Sequence, residues 1–472
     1  MTIIEQRSRK QIPPAIPAVA GIEMWERFSF YGMQAILAYY LYDQAGGLGI
    51  EQTHATALVG AYGAVLYLFT FVGGWVSDRV LGAERTLLVG AFLLMCGHVS
   101  LSLIPGFPGL FAGLFPLALG SGLLKTAAIT VMGAAFPAEG NNSAFQIFYL
   151  GINVGAVAGP MLTGWLSTAY GYHAGFGAAA GLMLIGCVSY MLLRSRLLAS
   201  ISVDITRPSN PIAPKHLAAA AGGSVLVCAL GIWCLASGAV TPDRMAFVLL
   251  LTTVSVAVGL IITMLISPRV SAPERRRVRA FLPLFVASTM YWALQSQTYG
   301  VLAVYSDQRL DRSIAGFEIP AAWTQSLNPF FILVFALPIA AFLAKRTVHR
   351  NRVMGCGLAL AGAGLFLLLP FVGAAAVPFL ALALCIMLMS IGELFIGPIG
   401  MAATAAYAPA AFKTRFSALF FLSLAIGTSL AGSLSTLYSA DTEFFYLVLV
   451  GIVPVITGGL IALSGLSWAK LS

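Results

Sequence analysis

Fourteen apolar stretches, each long enough to cross a lipid bilayer, follow one another along this chain with almost nothing between them. They fall at about 21–43, 54–77, 85–104, 108–132, 144–168 and 174–194, then at 216–238 and 245–267. Six more follow at 280–304, 322–344, 352–372, 377–403, 414–436 and 444–468. A helix needs roughly 20 apolar residues to span the hydrocarbon layer, so 472 residues hold these spans and little else. Apolar residues make up 59% of the chain and charged residues 9%, against about 25% charged in a soluble domain. So little polar material cannot cover a water-facing surface, and lipid is the solvent the chain requires. The longer loops, near 195–215, 268–279 and 304–321, are too short to fold as domains.

The charges test this threading. With the N-terminus on the cytoplasmic side, only Arg244, Arg309 and Arg312 fall outside, and Arg27 and Lys125 fall within spans. All the rest of the 26 Lys and Arg face inward, including the cluster Arg275, Arg276, Arg277 and Arg279. One missed span would invert every later loop and destroy this separation. Both termini are therefore expected in the cytoplasm of a multi-pass protein of the cell (inner) membrane. The net charge of +9 reflects this one-sided distribution and not a nucleic-acid surface. Arg7, Arg9 and Lys10 lead into Pro13, Pro14 and Pro17 and not into an apolar core with a cleavage site, so no cleavable signal is expected.

Six spans precede a basic loop, six follow another, and a helix pair lies between them. The chain divides on this reading into a cytoplasmic segment 1–20, a six-helix bundle 21–194, a linker with the extra pair 195–279, and a second bundle 280–472. Two six-span halves around a central site are a common plan for secondary transporters. Cys96, Cys187, Cys228, Cys234, Cys356 and Cys385 lie in apolar stretches without metal-ligand spacing and read as small buried hydrophobes. No metal or organic cofactor is expected.

Ionisable groups well inside spans are few: Glu23, Glu26, Arg27, Lys125 and Glu393. A charge facing lipid costs at least roughly 3 kcal/mol, so such residues persist where they face one another or a polar cavity. Interhelical ion pairs that only fix packing are the plain alternative. Positions 23, 26 and 27 share one helical face, and two carboxylates with one guanidinium leave at least one carboxylate without an adjacent local cation. Burial and a guanidinium act in opposite senses on the proton affinity of such a carboxyl, the competition a proton carrier needs. Arg27 and Lys125 suit a substrate carboxylate and Glu393 an ammonium, so a zwitterion with separated charges fits the set.

The stretch Gly21–Leu41 (GIEMWERFSFYGMQAILAYYL) resembles the first helix of the proton-dependent oligopeptide transporter family, whose hallmark is E-x-x-E-R-F. Gly74–Thr86 (GWVSDRVLGAERT) resembles the loop between spans 2 and 3 of the major facilitator superfamily. Phe145–Pro160 (FQIFYLGINVGAVAGP), Ile319–Pro329 (IPAAWTQSLNP) and Gly392–Gly400 (GELFIGPIG) are similar to the family's spans 5, 8 and 10. The resemblance implies an all-α membrane protein of the major facilitator fold, with two six-helix bundles and two extra central helices. It implies proton coupling through Glu23, Glu26 and Arg27, with protons as the coupling ion. It places Arg27 and Lys125 at the peptide carboxylate, and Glu393 beside the lysine or the peptide amine. Tyr31, Tyr67, Asn153, Trp292 and Asn328 match positions lining the cavity, and Asp78 and Arg79 belong to a gating loop.

Departures from that pattern concern the gate and the pocket. Gln34 stands where many members have Arg, and Ser296 where members have Glu four residues after the tryptophan. The neutral pair can hydrogen-bond, and the outer gate is expected to close through polar or apolar contacts. Thr126 and Ala127 replace Pro and Asn after the lysine, Phe30 replaces a Tyr, Phe420 a Trp, and Asn141, Asn142 and Ser143 the usual basic residues. The expected function is proton-coupled import of di- and tripeptides by a monomer embedded in the bilayer. The alternative is a carrier of the same fold for a modified peptide, nitrate or a drug-like molecule, an exporter included. An enzyme has little support, since His54, His98, His173, His216 and His349 are scattered and no nucleophile motif or nucleotide loop occurs. A channel has little either, because the intramembrane charges form no rings.

Overall fold

A computed structural model of the chain describes residues 15–135, 142–201, 203–212, 240–314, 316–345 and 349–468, with a few isolated positions between 222 and 238. The described residues form thirteen long helices and one short one. The first six are α1 (Ala15–Tyr42), α2 (Gln52–Val76), α3 (Ala83–Leu103), α4 (Gly106–Ala135), α5 (Asn142–Tyr170) and α6 (Tyr172–Ser200). Then come α7 (Pro242–Ile266), α8 (Ala272–Ser296), the short α9 (Val301–Gln308) and α10 (Leu327–Ala344). The last four are α11 (Arg350–Gly364), α12 (Phe379–Tyr407), α13 (Lys413–Ser435) and α14 (Glu443–Trp468). Among the described residues, ten helices are long and apolar enough to cross a membrane. The expected span 216–238 lies almost wholly outside the described residues.

Three expected spans differ in detail: 322–344 opens with a 3-10 segment (Ala321–Ser326), 352–372 passes from α11 into another (Leu365–Phe371), and 280–304 is interrupted. The stretch 280–304 is not one helix: α8 starts earlier, at Ala272, and stops at Ser296, and a 3-10 turn (Gln297–Tyr299) and Gly300 separate it from α9. The early start has a local cause. Ser271 and Glu274 form a capping box, with Glu274 accepting from the Ser271 amide at 2.8 Å, so the basic run 275–279 is helical before the apolar stretch begins.

Burial gathers in two cores. One is built mainly from α1–α6 and includes Ile22, Met33, Leu37, Leu94, Leu117 and Phe176; the other, from α7–α14, includes Phe281, Tyr291, Leu358, Met389 and Phe416. Hydrophobicity cannot drive association between helices that lie in lipid, so small residues that let backbones approach supply the contact. A Cβ added at Gly155 or Gly159 of α5 would come within 2.5 Å of the Met24 carbonyl oxygen or 2.3 Å of that of Phe28. These glycines seat α5 against α1 and fix the rotation of its charged turn; Thr163 adds a hydroxyl bond to the Gly32 carbonyl at 2.7 Å.

The two halves meet towards one end of the bundle, the end that carries Asp43, Tyr172 and Asp307. There Gly60 of α2 faces Gly432 of α13, and a Cβ on Gly60 would lie 2.5 Å from the Gly432 Cα. The Ser326 hydroxyl donates to the Val157 carbonyl at 2.7 Å and the Trp323 indole to the Met161 carbonyl at 2.9 Å. Helix α7 covers the seam between α2 and α13, with Ala246 packed on Ala57 and Ala61. At the opposite end, the loop after α2 docks on the linker. Gly82 takes φ +84°, which favours glycine, and a Cβ there would strike the Thr206–Arg207 backbone at 2.7 Å.

Candidate functional site

The charged turn of α1 is buried: Glu26 is 0% and Glu23 3% exposed. Arg27 reaches both, with Nη2 3.5 Å from Glu23 and Nε 3.2 Å from Glu26. The expectation of a carboxylate without an adjacent local cation is corrected here. One guanidinium serves two carboxylates, because the backbone places all three on one face and the fork of nitrogens spans them. The contact with Glu26 is an ion pair without a directed hydrogen bond, since that Glu26 oxygen has no hydrogen-bond partner among the described residues. Its other oxygen receives a long 3.5 Å bond from Ser121 of α4. Charge more than geometry holds Glu26.

One turn further along α1 opens a cavity of about 140 Å³ between the halves. Tyr31, Tyr67, Lys125, Trp292, Asn328 and Glu393 all line it, as do Gln34 and Ser296. Glu23, Glu26 and Arg27 are not among its lining residues; they lie a turn away, and Asn153 is buried in α5 outside the lining. A larger, open cavity of about 550 Å³ lies at the closed end among Asp43, Asp307, Arg312 and Glu318, away from the intramembrane charges.

The cavity holds two opposite charges that do not neutralise each other. The Lys125 ammonium sits over the rings of Phe30 (4.9 Å) and Tyr67 (5.3 Å), where the negative ring faces stabilise a cation. Among the described residues no carboxylate lies within ion-pair distance of it. Glu393 accepts from the Asn328 amide at 3.0 Å and from the Tyr291 hydroxyl at 3.2 Å. Of the two partners expected for Glu393, the lysine is thus not engaged in this structure; neutral donors occupy the carboxylate instead. The Tyr291 hydroxyl lies equally near the Met389 carbonyl (3.1 Å) and Gln295 Oε1 (3.3 Å), and its single proton serves one acceptor at a time. The Trp292 indole nitrogen is buried without an acceptor among the described residues.

Sequence reasoning missed Tyr291, Gln295, Tyr299 and Thr428. Three of them carried a readable signal, because positions 291, 295 and 299 recur every four residues and so share a helical face. Thr428 carried none.

Gln34 and Ser296 do not hydrogen-bond to each other. The Ser296 hydroxyl donates to the Trp292 carbonyl of its own helix at 2.7 Å, and Gln34 Oε1 has no partner among the described residues. Closure is made nearer the end of the bundle. The Tyr42 hydroxyl donates to Asp307 at 2.8 Å, Tyr39 to the Ala303 carbonyl at 3.1 Å, and Gln308 to Gln52 at 2.9 Å. Asp78 and Arg79 lie at the opposite end in a wide helical turn, Ser77–Leu81, with exposed side chains. Their carbonyls accept from the Asn210 and Ile212 amides, at 2.9 and 3.1 Å. Buried Glu84 beside them pairs with Arg194. Among the described residues no group of three or more His, Cys, Asp or Glu is placed to hold a metal.

Two helical halves closed over a buried cavity that holds unneutralised charges define a multi-pass membrane transporter of the major facilitator type. The sequence profile of the POT family matches residues 84–448. A di-/tripeptide transporter of Lactococcus lactis subsp. cremoris is 32% identical over 469 residues, covering 94% of each chain. An uncharacterized transporter of Bacillus subtilis (strain 168), YclF, is 34% identical over 453 residues, covering 93% of this chain and 91% of its own. The crystal structure of a peptide transporter POT in complex with sulfate superposes with a TM-score of 0.90 at 35% identity, covering 97% of this chain and 95% of that one. The chain belongs to the POT family.

Proposed function

We propose that the protein is a proton-coupled symporter that imports di- and tripeptides across the cytoplasmic (inner) membrane, as a monomer with both termini in the cytoplasm. The observation that carries this reading is that Lys125 and Glu393 line one cavity without pairing with each other. A cation and an anion kept apart match the two ends of a short zwitterion, which replaces the aromatic faces and neutral donors that now hold them. The relatives named as di-/tripeptide transporters support the same cargo class.

On this reading Lys125, with Arg27 near it, takes the cargo carboxylate. Glu393 takes the ammonium, and the Trp292 indole gives its unused N–H to a cargo oxygen. Tyr31, Tyr67 and Asn328 shape the cavity, with Asn153 at its border. Glu23 and Glu26 carry the proton. They compete for Arg27, so protonating either lets the guanidinium turn towards the other or towards the cargo. The cavity is smaller than the roughly 300–1,000 Å³ of ordinary small-molecule sites, which suits a state closed over small cargo. Closure at the Asp307 end then corresponds to the outer side, and rocking of the halves about the cavity gives alternating access.

The test is uptake of labelled dialanine into proteoliposomes under an imposed proton gradient. Wild-type protein accumulates the peptide, and Glu26→Gln abolishes accumulation. Absence of uptake of any di- or tripeptide by the wild type overturns the proposal. A second reading extends the cargo to other short amine-carboxylates. It is favoured by the crystal structure of a POT family transporter in complex with 5-aminolevulinic acid, 29% identical with a TM-score of 0.90. Competition of that compound with dialanine tests it directly.

A further inference from the structure

Gln34 is 7% exposed and lines the cavity, yet among the described residues its Oε1 has no hydrogen-bond partner. A buried carbonyl oxygen left unpaired is unfavourable, so its presence beside a cavity calls for an occupant that donates to it. The contacts that close the bundle are made elsewhere, by Tyr42, Tyr39 and Gln52, so closure makes no use of this carboxamide.

Gln34 is one turn beyond Phe30 on α1, and Ser296 is one turn beyond Trp292 on α8. Both are thus displaced towards the Asp307 end from the level at which Lys125 and Glu393 hold their charges. Thr428 of α13 completes this part of the lining, opposite Gly63. A Cβ on Gly63 would lie 3.2 Å from the Thr428 Cβ, so the missing side chain keeps the space open.

Acceptors outnumber donors among Gln34, Ser296 and Thr428. The Ser296 hydroxyl spends its proton on the Trp292 carbonyl, and Thr428 spends its own on the Leu424 or Ala425 carbonyl, at 3.0 and 3.1 Å. Each hydroxyl therefore offers the cavity only lone pairs; the Gln34 carboxamide adds two lone pairs on Oε1 and two N–H donors on Nε2, so acceptors are in excess. No charged group belongs to this set.

We infer that Gln34, Ser296 and Thr428 form a neutral, acceptor-rich subsite that takes an uncharged N–H or O–H donor on a cargo side chain. The carrier then prefers short peptides bearing carboxamide or hydroxyl side chains over apolar ones of the same length. This rests on the peptide reading above, whose charged sites consume the two termini of the cargo and leave the side chain as the remaining variable group.

The experiment is inhibition of labelled dialanine uptake by Ala-Gln and Gln-Ala, each compared with its methionine counterpart, which is close in length and lacks the donors. For the wild type, at least one order of residues shows a glutamine preference of roughly five- to tenfold, the size expected of one net hydrogen bond. In Gln34→Met the ratio falls to about one. A flat ratio in the wild type, or a preference that survives Gln34→Met, overturns the subsite while dialanine uptake leaves the peptide reading standing. A change that weakens both peptides equally marks Gln34 as a gate element and overturns it too. Loss of dialanine uptake by the wild type itself defeats both readings. Where Gln34→Met does not insert, Thr428→Val removes an acceptor with little change in shape, and the same ratio is read from it.

Discussion

The Tyr42 hydroxyl lies 2.8 Å from an Asp307 carboxylate oxygen, and this bond ties the end of α1 in one half to α9 in the other. Asp307 is in turn 3.6 Å from Arg312, which also reaches Glu318 at 3.2 Å. Gln34 and Ser296 do not hydrogen-bond to each other, and the closing contact lies about two turns further along α1, at a tyrosine and an aspartate.

Tyr42→Phe deletes this bond and little else. A hydrogen bond to a charged group is worth about 1.5–3 kcal/mol when buried and less at a partly exposed aspartate, so roughly a three- to tenfold rise in the open population is expected. Spin labels at Gln52 and Gln308, whose side chains meet at 2.9 Å, report the separation in a background without other reactive cysteines. An unchanged distance distribution removes Tyr42 from the closure.

Gly60→Ala acts at the same seam by a different force. The new methyl would lie 2.5 Å from the Gly432 Cα and 2.8 Å from the Thr428 carbonyl oxygen, both backbone atoms with little freedom to move. Overpacking of this kind costs about 1–3 kcal/mol. The same spin-label pair then shows the open form enriched by fivefold or more, with protein yield near that of the wild type.

The paired change Gln34→Arg with Ser296→Glu restores two opposite charges to one cavity, and dialanine uptake is expected to survive it. Ser296→Glu alone brings a carboxylate into the cavity that holds Glu393 and leaves it without a cation of its own, so uptake falls by tenfold or more. Equal, full activity in both variants would show that the cavity tolerates the added carboxylate without its cation.

Lys125→Gln and Glu393→Gln separate the two ends of the cargo. The first removes a charge held only by ring faces and raises the KM for dialanine by at least tenfold, with a smaller effect on a peptide amide that lacks the carboxylate. The second keeps a group able to bond Asn328 and Tyr291 but not the charge. Its effect is largest for peptides with a free ammonium and small for N-acetylated ones. Competition assays with the four peptides give the pattern.

Glu274 lies at the opposite end of the bundle, in the first turn of α8 ahead of the apolar stretch. Bonds from the Ala410 and Ser271 amides and the Ser271 hydroxyl hold its carboxyl down at about 2. A depressed folded-state value means that its contribution is complete above the ordinary glutamate range near 4.3 and is lost as pH falls through about 2. This tie between α8 and the loop before α13 thus does not titrate in the range where proton gradients are imposed. Glu274→Gln is expected to leave the shape of the transport–pH profile between pH 5 and 8 unchanged, and to flatten the acid limb of a melting curve recorded below pH 4.

The sequence by itself determined that the chain lives in lipid, where most of its spans begin and end, and which few residues carry charge inside them. These are local properties: apolar length, the helical period and the side on which Lys and Arg accumulate are set by neighbours in the chain. For the same reason the shared face of Glu23, Glu26 and Arg27 was legible. Only the tertiary structure decided what those charges meet. That one guanidinium serves both carboxylates, and that Lys125 rests on Phe30 and Tyr67 while Glu393 turns to Tyr291 and Asn328, depends on the rotation of helices about their axes. So does the displacement of the closing contact from Gln34 and Ser296 to Tyr42 and Asp307. Those rotations are set by glycine contacts such as Gly155 on Met24 and Gly60 on Gly432, between residues far apart in the chain. A single sequence lists such partners but does not pair them, because in lipid the pairing is chosen by backbone approach and not by the hydrophobic pattern.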